Sequence, residues 1–157
     1  MAKVITPKAF GAPLGMYSHG MVASGGDLIV VAGQVGTTAD GRVPGNDIAS
    51  QTRQAFENVR TVLEAAGAGM TAVIRLQTFL TRAEDIPGFM KARQDLFPEY
   101  FPSAAYPPNT LLVVSRLVRP DLLVEIEAMA VRRPIRAKAP ARPNAAARRA
   151  PTKRRRR

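Results

Sequence analysis

Cysteine is absent from the 157-residue sequence, and histidine occurs once, as His19. Without cysteine the chain forms no disulfides, thiolate metal ligands or thiol nucleophiles, and one imidazole cannot build a metal site of several histidines. No apolar run approaches the ~18 residues of a membrane span, and the opening MAKVITPKAFGAP lacks the apolar segment of a signal peptide. We therefore expect a cytoplasmic protein with no metal site and no membrane contact.

Acidic residues are also missing from the C-terminal stretch, 134–157, whose sequence is PIRAKAPARPNAAARRAPTKRRRR. This stretch holds ten of the 23 lysine and arginine residues and four prolines. The net charge of +11 lies almost entirely here, because residues 1–133 combine 13 basic with 12 acidic side chains. Self-repulsion, proline and the shortage of apolar side chains predict a disordered basic tail that follows a single domain, 1–133.

Short apolar or alternating stretches predict the β-strands, which are 16–24, 27–36, 71–81, 109–117 and 122–131. Gly25-Gly26 separates the first two, which is typical of a hairpin turn. The third stretch alternates polar and apolar residues, so we expect one of its faces to be partly solvated.

Two stretches have helical periodicity. The first begins at a cap formed by Asn46 or Asp47, and its apolar stripe is Ile48, Ala55, Val59, Val62 and Ala66. Polar residues such as Gln51 fall mostly outside that stripe. The second helix spans 83–101, with Pro87 in its first turn, and Pro98 is expected to end or kink it.

The order strand, strand, helix, strand, helix, strand, strand predicts an α+β sandwich, in which two helices cover one face of a single mixed sheet. The opposite face must then meet water or another subunit. Along the last strand the side chains fall into two alternating sets, which are Leu122, Val124, Ile126, Ala128 and Ala130, and Leu123, Glu125, Glu127, Met129 and Val131. The second set is too charged for a dry core and too apolar for water, so it predicts a subunit interface with polar pockets.

The chain resembles the Rid/YjgF family of reactive intermediate deaminases over roughly residues 7–133. The resemblance is carried by segments that occur in order, namely YSHG (17–20), LIVVAGQVG (28–36), QTRQAFENVRTVLEAAG (51–67), YPPNTLLVV (106–114) and VEIEAMAV (124–131). It implies a chorismate-mutase-like α+β sandwich that assembles as a homotrimer with ligand clefts between subunits.

The resemblance also implies a function, because members of this family hydrolyse reactive imines and enamines to carbonyl products and ammonia without a metal or cofactor. By position, Glu125 is the residue that would hold water. Tyr17 and Gly33 match residues that line the family's cleft. Asn109 stands where the family has an arginine that binds the substrate carboxylate.

Asn109 in place of the family's arginine should change the affinity for an anionic ligand by an amount that can be calculated. An arginine fork forms two charge-assisted hydrogen bonds to a carboxylate, whereas asparagine offers one neutral donor group. Hydrogen bonds to charged groups contribute roughly 1.5–3 kcal/mol against about 1 kcal/mol for neutral ones, so affinity for an anionic imine should fall on the order of tenfold. Either another cation compensates or the ligand is not an anionic imine. Arg75, Arg116 and Arg119 are available, but nothing in the sequence places them.

Each candidate residue also has a structural interpretation. Glu125 and Glu127 would serve equally as partners in interface ion pairs, and Tyr17 as an amphipathic residue at a rim. Gly33 would serve to permit a tight turn, and Asn109 to begin a strand after two prolines.

The sequence therefore leaves open three functions. The first is hydrolysis of an imine, enamine or related small molecule, and the second is non-catalytic metabolite binding or regulation on the same fold. The third is contact with nucleic acid or another polyanion through the basic tail, because its RRRR terminus (154–157) attracts phosphates without sequence preference.

Overall fold

The structure is a computed structural model that describes residues 2–9 and 11–132. In chain order its strands and helices are β1 (Lys3–Ile5), β2 (Gly20–Val22), β3 (Asp27–Val35), α1 (Ile48–Ala65), β4 (Val73–Leu80), α2 (Ile86–Tyr100), β5 (Asn109–Val113) and β6 (Val124–Arg132). Short 3₁₀ turns precede β4 and α2. The predicted tail, 134–157, and its boundary at residue 133 lie outside the described residues.

A mixed four-stranded sheet has the strand order β3-β6-β4-β5. β6 runs antiparallel to both of its neighbours, and β4 runs parallel to β5. In the β3–β6 ladder, Val31 pairs with Ala128 and Gln34 with Ile126. One extra residue of β3 therefore lies between these pairs, which is the pattern of a β-bulge, and Gly33 lies within it.

Both helices pack on one face of this sheet, which confirms the predicted α+β sandwich. α1 begins where the Asp47 carboxylate accepts a hydrogen bond of 2.8 Å from the Ser50 N–H, and its end is followed by Gly67 at φ 72°, a left-handed conformation that glycine adopts readily. The core contains aromatic rings of both helices, and Phe56 lies edge-on to Phe97 with 5.6 Å between ring centroids.

Two residues of α1 depart from the predicted stripe. Val62 is 37% exposed, whereas Gln51 is fully buried. Its Nε2 donates to the carbonyl oxygens of Gly45 and Asp121 at 3.2 and 2.9 Å, and its Oε1 accepts from the Leu123 N–H at 2.9 Å. Gln51 therefore ties the loop before α1 to the loop before β6, a role that its polarity alone did not predict.

The predicted hairpin across Gly25-Gly26 is wrong. β2 is only three residues long and pairs with β1, which the sequence analysis missed, in a separate two-stranded sheet. β3 instead pairs with β6, some hundred residues further along the chain. Two other bounds also differ, since β5 ends at Val113 and α2 continues through Pro98 to Tyr100.

The predicted alternation along β6 is confirmed from Val124 onwards, whereas Leu122 and Leu123 precede the strand and are both buried. Val124, Ile126, Ala128 and Ala130 are at most 2% exposed and face the helices. Glu125, Glu127, Met129 and Val131 are half-buried and point to the opposite, open face. Large apolar side chains also lie exposed on that face, namely Leu28 and Val30 of β3 and Leu112 of β5, at 58%, 67% and 45% exposure.

Candidate functional site

Glu125 lies on the open face, opposite Val35 of β3 and Phe79 of β4. Its carboxylate lies against Gly33, where an added Cβ would come within 1.7 Å of Glu125 Oε1. Gly33 does not have a positive φ, so the tight-turn interpretation of this glycine is wrong. Its missing side chain makes room for the Glu125 carboxylate beside the bulge.

Burial raises the pKa of Glu125, and the neighbouring negative charge of Glu127 raises it further. Both effects penalise the ionised carboxylate. Neither glutamate forms an ion pair within residues 2–9 and 11–132. A carboxyl group with a raised pKa and no neutralising partner is suited to accepting a proton from water.

Glu127 lies in a small cleft of about 140 Å³ on the same face. It pairs in register with Gln77 of β4, and Gln77 accepts a hydrogen bond from Arg75. The cleft is lined by Val30, Val31, Ala32, Arg75, Gln77, Glu127, Ala128 and Met129. One apolar wall and three polar side chains therefore meet where β3, β6 and β4 lie side by side.

Tyr17 and Asn109 line a second and larger cleft of about 530 Å³. The segment from Tyr17 to Met21 forms one wall, and the starts of β4 and β5 form the other. Arg75 and Met129 line this cleft as well as the smaller one, so the two clefts meet at these two side chains.

Asn109 is placed by the start of a parallel ladder. The carbonyl oxygen of Pro108 accepts a hydrogen bond of 2.9 Å from the Leu76 N–H, and Asn109 then pairs with Leu76. The Asn109 side-chain oxygen accepts a bond of 3.1 Å from the Thr78 hydroxyl. That contact directs the Asn109 side chain toward Thr78, which is buried on the helix face, and the side chain carries no charge.

The segment that carries Tyr17 is anchored by Arg93 of α2. The buried Arg93 guanidinium donates a hydrogen bond of 2.6 Å to the Met16 carbonyl oxygen, and it lies 4.5 Å from the centroid of the Phe97 ring. Burial lowers the pKa of Arg93 to about 10, and the aromatic ring offsets part of the desolvation cost. Arg93 therefore fixes the backbone next to Tyr17.

The predicted site residues fall into two groups on one chain. Tyr17 and Asn109 share the larger cleft, and Gly33 contacts Glu125. Asn109 is two strands away from β6 and level with Ala128, three residues from Glu125. With strands ~4.8 Å apart and ~3.3 Å per residue, the Cα atoms of Asn109 and Glu125 are about 14 Å apart. A small ligand therefore does not touch both groups of the same chain.

Three residues of this region were not assigned by the sequence analysis, namely Arg75, Gln77 and Arg93. The alternation of β4 indicated that Arg75 and Gln77 share one face, because both fall on the same side of the strand as Phe79. No sequence pattern indicated that Arg93 is buried, because a charged residue on a helix is expected to be solvated.

No cluster of three or more histidine, cysteine or carboxylate side chains suited to a metal ion occurs in the described part of the chain. Neither of the helices within residues 2–9 and 11–132 is long and apolar enough to cross a membrane.

A family model described as Endoribonuclease L-PSP matches residues 7–132. The chain is 32% identical over 134 residues to the 2-iminobutanoate/2-iminopropanoate deaminase of Escherichia coli, a match that covers 85% of this chain and all of that protein. The chain belongs to the Rid/YjgF family. A RutC family protein of Pyrococcus horikoshii is 36% identical over 131 residues, covering 83% of this chain and 98% of the relative.

Solved Rid/YjgF structures share the fold. A Rid family protein of unknown function from Yersinia pestis superposes with a TM-score of 0.74 at 31% identity, covering 83% of this chain and 98% of the other. Escherichia coli TdcF, solved with bound serine, superposes with a TM-score of 0.62 at 30% identity and the same coverage. The Rid/YjgF sandwich predicted from the sequence is therefore confirmed.

Proposed function

We propose that this Rid/YjgF protein hydrolyses the C=N bond of a small imine, or of an enamine through its imine form, with Glu125 as the base that activates water. One observation carries the proposal. The Glu125 carboxylate has no ion pair in the described part of the chain, its pKa is raised, and it occupies a space that only glycine at position 33 leaves open. A carboxylate held in this way is poised for proton transfer.

The chemistry needs no group other than water and a proton carrier. Glu125 takes a proton from water as the water oxygen bonds to the imine carbon and the C=N π electrons move to nitrogen. The protonated Glu125 then returns the proton to nitrogen. The hydroxyl proton of the resulting carbinolamine then passes to its nitrogen, again through Glu125, and the C–N bond breaks to release ammonia and leave a carbonyl compound. The raised pKa suits both halves of this cycle, because the same group must accept and release a proton.

The open sheet face supports an assembly in which sister chains complete the site. Leu28, Val30 and Leu112 expose apolar surface there, and such a patch is characteristic of an interface. We propose a cyclic homotrimer in which this face is covered by a second copy. The two groups of site residues, about 14 Å apart on one chain, then meet across the seam, with Glu125 and Gly33 from one chain and Tyr17 and Asn109 from its neighbour.

The relatives support a small amino-acid-derived ligand. One is named for deamination of 2-iminobutanoate and 2-iminopropanoate, and TdcF was solved with bound serine. Each of these ligands is small enough for a cleft of about 530 Å³ and carries a carboxylate beside its nitrogen-bearing carbon.

A second candidate function is non-catalytic metabolite binding on the same fold. The observation in its favour is Asn109, because its NH₂ group carries no charge and its oxygen is engaged by Thr78. Under this proposal the cleft holds a small molecule without turnover.

Ammonia release separates the two proposals. Imines are generated in the assay by an amino-acid oxidase, and wild type is compared with Glu125→Gln and with a matched control, Glu64→Gln, which changes an exposed acid of α1. Catalysis by Glu125 predicts activity in wild type and Glu64→Gln and a loss of roughly 10²-fold or more in Glu125→Gln. Equal activity in all three proteins contradicts the role of Glu125. If wild type is inactive and Asn109→Arg gains activity, the binding function is supported instead.

A further inference from the structure

Six of the nine arginines in the described part of the chain form ion pairs, which are Arg42, Arg53, Arg60, Arg82, Arg119 and Arg132. The remaining three differ in their surroundings. Arg93 is buried against Phe97, and Arg116 donates to the Leu117 carbonyl oxygen at 3.4 Å and lines neither cleft. Arg75 lines both clefts of the open face.

Arg75 is close to the site residues through the strand register. It precedes Leu76, the residue that pairs with Asn109 across the β4–β5 ladder, and it pairs with Met129 of β6. The alternation of β4 places Arg75 and Gln77 on the open face and the buried Leu76 and Thr78 on the helix face. The guanidinium therefore lies at the junction of the Tyr17–Asn109 cleft and the cleft of Glu127.

The local contacts leave Arg75 able to bind an anion. One Nη2 hydrogen bond goes to Gln77 Oε1, a neutral acceptor that orients the group without neutralising it. Glu127 lines the smaller cleft but forms no ion pair with Arg75 in the described part of the chain. Guanidinium binds carboxylates through two parallel hydrogen bonds, and the attraction strengthens once a covered face excludes water.

We propose that Arg75 binds the carboxylate of the ligand and so supplies the positive charge that Asn109 does not. This inference rests on the proposed function, and it deepens it by assigning the residue that recognises a carboxylate on the ligand. Asn109 lines the same cleft but carries no charge.

The test uses 2-oxobutanoate and its uncharged methyl ester, which differ in charge and by one methyl group, titrated by calorimetry into wild type, Arg75→Met, Arg75→Lys and the matched control Arg53→Met. Arg53 is an exposed residue of α1 paired with Asp95. We expect wild type and Arg53→Met to bind the acid at least tenfold more tightly than the ester, Arg75→Lys to retain part of this preference, and Arg75→Met to bind both alike. Adding Asn109→Arg to Arg75→Met is expected to restore the preference.

Three results overturn the inference. The first is a wild type that binds the acid no better than the ester, and the second is an unchanged preference in Arg75→Met. The third is dissociation of the assembly by Arg75→Met in sedimentation, since that result assigns Arg75 to an interface ion pair.

Ammonia release, measured on the same proteins, distinguishes a failure of this inference from a failure of the proposed function. Turnover by wild type that Arg75→Met leaves intact removes only the role of Arg75. An acid preference that depends on Arg75 in a protein without turnover supports the anion site and removes the hydrolase.

Discussion

Replacing Gly33 with alanine is expected to inactivate the site while leaving the fold nearly as stable as before. The new methyl group would lie 1.7 Å from Glu125 Oε1 and 2.5 Å from its Cδ. The carboxylate must then retreat by roughly 2 Å to reach an ordinary separation of ~3.5 Å. Because a misplacement of ~1 Å costs about 10²-fold in rate, kcat/KM should fall by at least that factor.

The stability of Gly33→Ala should change by less than about 1 kcal/mol. The atoms that must move are Oε1, Cδ and Cγ of the half-buried Glu125 side chain, which swings aside without moving backbone, and alanine also lowers the entropy of the unfolded chain slightly. The assays are ammonia release and chemical denaturation, with Gly69→Ala as the matched control because nothing lies within 4 Å of a Cβ there. Wild-type activity in Gly33→Ala would refute the placement of Glu125, and a large loss of stability would refute the claim that only a side chain moves.

Five other predictions concern the pH dependence of activity, the stability of the fold and the C-terminal stretch, 134–157. Activity should fall as pH drops through the raised pKa of Glu125, and Glu127→Gln, which removes the like charge, should move this acid limb of the pH–rate profile to lower pH. Since ionised Glu125 is disfavoured in the folded state, Glu125→Gln should be more stable than wild type at pH 7, with the difference in denaturation midpoint vanishing as pH falls below the unfolded-state pKa of ~4.3. Gln51→Leu should lower the free energy of unfolding by about 3 kcal/mol, because Gly45 O, Asp121 O and the Leu123 N–H lose their partner. Gly36→Ala should lower the free energy of unfolding by about 1–3 kcal/mol, since the added Cβ meets Gln51 Cα and O at 2.7 Å. For either variant, a denaturation curve equal to that of wild type would contradict the packing described. The basic composition of residues 134–157 predicts weak, salt-sensitive DNA binding, measured by fluorescence anisotropy, that deletion of these residues abolishes. Binding that survives the deletion would remove the tail as the contact.

Local patterns predicted the layer that positions the site. The alternation along β6 separated Glu125 and Glu127 from the core side chains, and the same period on β4 holds for Arg75 and Gln77. These predictions succeeded because a strand alternates its side chains whatever its neighbours are.

The features that the sequence analysis missed depend on distant parts of the chain. The partner of β3 is β6 and not β2, a choice that a two-glycine turn signal cannot determine. Gln51 is buried because the Asp121 carbonyl, 70 residues away, accepts from it. The close approach of the Glu125 carboxylate to Gly33 was also missed, because Glu125 belongs to a strand about 90 residues further on.

Subunit mixing tests most directly whether the catalytic site is assembled from two chains. Glu125→Gln removes the base, and Asn109→Trp fills the larger cleft, so each variant alone should be inactive. If both groups meet across a seam in a cyclic trimer, an equal mixture refolded together regains about one quarter of wild-type ammonia release, because random assembly leaves about one site in four with both residues intact. A mixture no more active than its two components would contradict a site shared between chains.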